Sequence, residues 1–182
     1  MSNRQIIFSN DPRLHEPSRR VRRVDEGLQD LIDAMMKALR EADGIGLAAV
    51  QIGVPERVVV IELPAPAAED EVTTEEPPQS ESYVLINPRL LRGSPEVEES
   101  IEGCLSIPGW VGEVERHRSI VVEALDEEGR ELRIEAEGLL ARVLQHEIDH
   151  CEGVLFIDRI EDPEKIWSVE TGREEAGESG GG

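Results

Sequence analysis

The sequence predicts an α+β fold: antiparallel strands around a central helix carrying His146 and His150, with a second helix near the N-terminus. Three observations predict it. Residues 25–42 repeat Leu28, Leu31, Ile32, Met35, Met36 and Leu39 at spacings of three and four, the period of an amphipathic helix. Short runs rich in β-branched residues follow, bounded by Pro, Asn and Gly, as strands usually are. Residues 137–151 then return to helical spacing before Gly153, a residue suited to ending a helix. No internal repeat or second domain is visible.

Taken in order, Ile6-Ile7-Phe8 reads as a short strand or apolar anchor, and Asp11-Pro12-Arg13 as a turn. The locally basic residues 18–23 read as a solvated segment. The first helix ends at Asp43-Gly44, and its methionines belong to the core rather than to a ligand site. Residues 44–51 form a tight loop or short strand. Residues 57–63 form a strand that Pro64 ends. Residues 64–82 are acidic and proline-rich with few bulky apolar groups, the composition of a mobile loop. Residues 83–86 make a strand closed by Asn87-Pro88, and residues 96–101 extend towards Cys104. Residues 119–125 and 131–136 form a hairpin across Asp126-Glu127-Glu128-Gly129. After the second helix, Leu155-Phe156-Ile157 packs back. Residues 161–182 form an acidic, glycine-rich tail expected to be disordered. A single folded domain is thereby expected over residues 1–160.

With 182 residues the chain suits one domain with a sizeable core. Aromatics make up only 3%, so that core must be aliphatic. The net charge of −21 opposes direct nucleic-acid binding, because a polyanion is repelled. No apolar run approaches a membrane span, and no secretory leader is apparent. Two cysteines do not make a disulfide framework. These features point to the cytoplasm.

Gln145-His146-Glu147-Ile148-Asp149-His150 contains His-Glu-x-x-His. Residues four apart share a helical face, so His146 and His150 can offer ring nitrogens to one metal ion, with Glu147 beside them. The alternative is an ordinary helix that happens to carry these residues. The helical wheel places Leu139, Val143, His146 and His150 on one side, continued by Leu140, Leu144, Glu147 and Cys151. It places Arg142, Gln145 and Asp149 on the opposite, outer face. Burying His146, Glu147 and His150 unpaired would cost several kcal/mol, order of magnitude, which a metal and its water would offset. A catalytic site of this kind takes three protein ligands and keeps one position open. The best third ligand is Cys104 in Glu102-Gly103-Cys104-Leu105-Ser106, a thiolate suited to Fe(II), Zn, Co or Ni. A buried, inert cysteine is the competing interpretation. Gly44-Ile45-Gly46-Leu47-Ala48-Ala49-Val50-Gln51 lets backbone approach a ligand closely, although tight packing alone also explains such a run.

These three stretches, in this order, resemble the three motifs of the peptide deformylases, and Asp11-Pro12-Arg13-Leu14 extends the resemblance over residues 1 to about 160. Cys151 departs from the leucine usual in that family after the second histidine. The resemblance implies a metal-dependent hydrolase that removes the formyl group from N-formylmethionyl peptides and releases formate. It implies Cys104, His146 and His150 as metal ligands, with Fe(II) the expected ion and Zn, Ni or Co able to replace it. Glu147 would be the general base. The Gln51 amide and the Leu105 backbone N–H would stabilise the oxyanion. Gly46 would contact peptide backbone, Ile45, Leu105 and Val143 would line the methionine pocket, and Glu102 would hold the Cys104 loop. Nascent chains at the ribosome are the expected setting. Two rivals stand beside this reading: a zinc peptidase, which shares His-Glu-x-x-His, and a catalytically inactive metal-binding relative.

Overall fold

The computed structural model describes residues 5–65 and 80–170. Helix α1 spans Glu26–Glu41 and helix α2 spans Gly138–Cys151. The strands are β1 (Gly46–Ala48), β2 (Val58–Leu63), β3 (Glu81–Gly93), β4 (Val97–Cys104), β5 (Ile107–His117), β6 (Ser119–Leu125), β7 (Glu131–Glu137) and β8 (Ile166–Ser168). They build two antiparallel sheets, ordered β1-β2-β3-β6-β7 and β4-β5-β8. The α+β expectation holds, with α2 packed between sheets and α1 outside the larger one.

Strand β2 explains this layering. Val58 and Val60 face the α1 stripe of Leu28, Leu31, Ile32, Met35 and Leu39. Val59 and Ile61 face the core around α2, with Leu144 and Phe156. A strand covered on both faces carries an unbroken apolar run, which is why residues 58–61 do not alternate. The Asp25 side chain starts α1 by accepting from the Leu28 N–H at 3.1 Å.

Several boundaries differ from expectation. Asn87-Pro88 does not close the strand at residue 86; β3 runs on to Gly93. Asn87 adopts φ +54°, which shifts the register, and the strand passes from β2 to β6 as its partner. Its side chain replaces the lost ladder bonds, accepting from Val21 N–H at 2.8 Å and donating to Val21 C=O at 3.0 Å. Residues 6–8 form no strand, and Phe8 is exposed. Most of the expected mobile loop, residues 66–79, lies outside the described residues, but residues 81–82 are strand. The tail is not wholly irregular: Pro163–Lys165 forms a 3-10 turn and β8 pairs with β5 at Trp110, Val111 and Gly112. Residues 171–182 lie outside the described residues.

Strand β5 went unforeseen, and the cause is physical. Its inward positions include Gly112 and Arg116, both buried, beside Val114. A glycine and an arginine at core positions hide the alternation that marks a strand.

Candidate active site

Cys104 ends β4, at the edge of the smaller sheet, and a shifted register there pairs it with Ile107. Helix α2 brings His146 and His150 up to it. One ligand atom from each of the three residues lies within 4.8 Å of the others. Cys104 Sγ is 3.4 Å from His150 Nε2. A thiolate and an imidazole on one tetrahedral ion, at bond lengths of about 2.3 and 2.0–2.1 Å, are about 3.6 Å apart. The spacing and the donor set therefore fit a metal ion.

Glu147 lies in the same place, buried, with Oε2 lacking any protein partner. Its position depends on Gly46, because a Cβ there would sit 2.5 Å from Glu147 Oε1. The small-residue stretch in front of Gln51 thus serves close approach: its glycine makes room for a carboxylate. Burial, reinforced by the Glu102 charge and opposed by His146, pushes the Glu147 carboxyl up to about 7. Burial works against a charge on His146, yet Cys104, Glu102 and Glu147 outweigh it and push that imidazole up to about 10. Burial, and then the neighbouring His146 charge, hold His150 well below the ordinary imidazole range. So much negative charge around one ring calls for a cation, and a divalent ion meets the same demand as a proton.

Gln51 is buried on the 3-10 turn Ala49–Ile52. Its Oε1 accepts from the Ala48 N–H at 2.9 Å, which fixes the amide orientation. Nε2 then faces the cluster, 3.5 Å from Cys104 Sγ, and donates to Ser106 Oγ at 3.2 Å. Ile45, Gly46, Leu105 and Val143 line a groove of about 500 Å³ together with Gln51, Cys104, His146 and Glu147. All the sequence-predicted site residues except the fully buried His150 border this one space, and His150 reaches it through Cys104.

Beneath the cluster lies a buried ionic network. Arg116 clamps Glu102 through Nε at 2.8 Å and Nη2 at 2.9 Å, and donates through Nη1 to Asp149 Oδ2 at 2.5 Å. Arg142 Nη1 also donates to Glu102, at 2.8 Å. Glu102 Oε2 is 2.9 Å from His146 Nδ1, so the carboxylate orients the ring that faces Cys104. Burial alone would raise the Glu102 carboxyl, but the bonds from Arg116 and His146 hold it well below the usual carboxylate range.

Two readings of the α2 wheel need correction. Gln145 and Asp149 are not on an outer face; both are buried, Gln145 against the His117 backbone and Asp149 against Arg116 and Arg159. Leu139, expected inside, is half exposed at the groove. Hydropathy assigns charged residues to water, and only the partner from β5 reveals that Asp149 is paired instead. Arg142, placed on the same outer face, instead reaches Glu102 with its side chain largely buried, and neither Arg116 nor Ser106 carries a local signal of its role. Cys151 is fully buried in the aliphatic core, and burial pushes its thiol up to about 12.

A His-Glu-x-x-His helix at the floor of a groove, with a cysteine brought to it by a strand edge, defines a metal-dependent hydrolase. Comparison with known proteins narrows the class. The family model for polypeptide deformylase matches residues 3–166. A peptide deformylase from Thermomicrobium roseum is 47% identical over 182 residues, covering 100% of this chain and 99% of that protein. One from Rhizobium meliloti is 46% identical over 160 residues, covering 88% and 86%. The plant peptide deformylase PDF1B superposes with a TM-score of 0.78 at 38% identity, over 89% of this chain and 83% of that one. The Synechococcus elongatus enzyme, solved in complex with actinonin, gives 0.76 at 42% identity, over 87% and 81%. The chain belongs to the polypeptide deformylase family.

Proposed function

We infer that this chain hydrolyses the terminal formamide of N-formylmethionyl peptides, giving formate and a free amino terminus. The observation that carries the reading is the convergence of Cys104, His146 and His150 within ligand distance of one another, beside buried Glu147. When held by these three residues, a divalent ion supplies Lewis-acid polarisation and acidifies water. A mix of thiolate and imidazole suits Fe(II), with Zn, Ni or Co able to substitute.

The remaining steps belong to the protein. Glu147 takes a proton from the attacking water; near neutrality it can both accept and return one. The new C–O bond forms at the formyl carbon and its oxygen gains negative charge. The Gln51 amide and the Leu105 N–H donate to that oxygen, each worth about 3 to 4 kcal/mol. Glu147 then delivers its proton to the departing nitrogen as the C–N bond breaks. Gly46 presents backbone to the peptide, and Ile45, Leu105 and Val143 surround the methionine side chain. Residues 1–160 form the catalytic unit, and β8 extends it. No described helix is long and apolar enough to cross a membrane. Cytoplasmic nascent chains, met as they leave the ribosome, are the physiological substrate.

Formate release from formyl-Met-Ala-Ser, measured anaerobically with metal content, tests this. Stoichiometric formate with all internal peptide bonds intact is expected. Internal cleavage, or no formate from metal-loaded protein, would refute it.

A further inference from the structure

Asp11-Pro12-Arg13-Leu14 does not line the groove, yet its segment is hydrogen-bonded to both elements that carry the oxyanion donors. The Ile7 N–H donates to the Gln51 C=O at 2.8 Å. Two residues on, the Ser9 N–H donates to the Ser106 C=O at 2.9 Å. Gln51 is one donor, and Ser106 directly follows Leu105, the other. Arg13 grips the far end of the Gln51 turn, where its Nη1 donates to the Gly53 C=O at 3.1 Å. Gly53 closes that turn at φ +80° and makes room for the guanidinium, because a Cβ there would sit 2.9 Å from Nη1. Asp11 holds the guanidinium from the other side, accepting from Nε at 2.9 Å and from Nη2 at 2.6 Å. Ile7 packs on the core around α2 and Leu14 is fully buried in it, so the segment is pinned at both ends.

The two donor elements belong to different sheets. The Gln51 turn follows β1 of the larger sheet, and the Leu105 loop follows β4 of the smaller one. Gln51 Nε2 meets Ser106 Oγ at 3.2 Å, but that bond uses the very amide that serves the oxyanion. The N-terminal segment holds both elements by their carbonyls and leaves the amide free to face the substrate. Oxyanion donors act only within about 2.7–3.1 Å of the developing charge. A small drift of either donor therefore slows the reaction without changing the groove that binds the peptide.

We propose that residues 7–13 form a brace that sets the spacing of the two oxyanion donors, with Arg13 a positioning residue for Gln51 and the Ser9 N–H a positioning group for Leu105. This rests on the deformylase reading. The test measures kcat, KM and metal content with formyl-Met-Ala-Ser for Arg13→Ala and Ser9→Pro, each alone and combined with Gln51→Ala. Proline removes the Ser9 N–H. The Arg13 side chain is half exposed, so Arg13→Ala reports even if Ser9→Pro misfolds. Arg13→Ala should lower kcat about five- to tenfold with KM and metal content unchanged. Once Gln51 is alanine, the same change should cost under about twofold, because the two residues act through one group. Ser9→Pro should cost a similar factor in both backgrounds, because it acts on Leu105. A merely structural role for Arg13 would cost the same with and without Gln51. That equality, or an unchanged kcat in either variant, overturns the brace. Absence of formate from metal-loaded wild type would instead refute the deformylase reading, and the brace would fall with it.

Discussion

At the smallest scale, the proposed reaction gives Glu147 and Gln51 separate tasks. Glu147→Gln keeps the shape but cannot take a proton, so turnover should fall by about 10²–10⁴ with metal content unchanged. Gln51→Ala should cost about 10²–10³ in kcat, again with the metal retained. Metal analysis beside steady-state kinetics checks both, and loss of metal in either variant would place that residue among the ligands. Cys151 makes a different prediction. Its thiol is fully buried and pushed up to about 12, so iodoacetamide at pH 8 should modify Cys104 of metal-stripped protein and spare Cys151 until the chain unfolds. Peptide mapping would show it. At this scale Cys151 is a core residue, packed among aliphatic side chains.

Between α2, β4 and β5, Arg116 ties two carboxylates to one cation. Its removal leaves Glu102 and Asp149 buried with less compensation, so Arg116→Ala should destabilise the fold by about 3–5 kcal/mol. Chemical denaturation measures this; a loss under 1 kcal/mol would mean that water replaces the guanidinium. The same network sets an acid limit. Glu102 titrates lower in the folded chain than its ordinary value of 4.5. The unfolded chain therefore binds the proton first, and the stabilisation present above about pH 4.5 is lost as pH falls below it. Urea midpoints should decline through that window, and less steeply in Glu102→Gln.

For the molecule as a whole, an ion held by Cys104, His146 and His150 would tie the smaller sheet to α2. An ion bound to the folded state alone at 100-fold over its Kd adds about 2.7 kcal/mol. For a domain of this size, stripping it should lower Tm by about 5–10 °C. Scanning calorimetry before and after chelation, with Ni or Co added back, tests the link. An unchanged Tm would mean that the Arg116 network holds the site without the ion. In air, Fe(II)-loaded enzyme should lose activity as iron and Cys104 oxidise, and Ni- or Co-loaded enzyme should lose it more slowly. Undiminished ferrous activity in air would count against iron.

The sequence by itself determined the helices, the 119–136 hairpin and which residues are candidates for the site. Those signals are local: helical spacing fixes α1, and residues four apart on α2 must share a face whatever surrounds them. Adding the stretches around Gln51 and Cys104 was enough to reach the family, because each carries its own short pattern. Only the tertiary structure decided which polar residues are buried. Asp149 and Arg116 each look solvent-bound along the chain, and each is inside because the other neutralises it from 33 residues away. It also decided that β3 runs through Asn87-Pro88, since the bonds that permit this come from Val21. Likewise, pairing with β5 makes the start of an acidic tail into a wall of the groove. A hydrogen bond or ion pair made across a long loop leaves no period in the sequence, so it becomes visible only when its partner arrives.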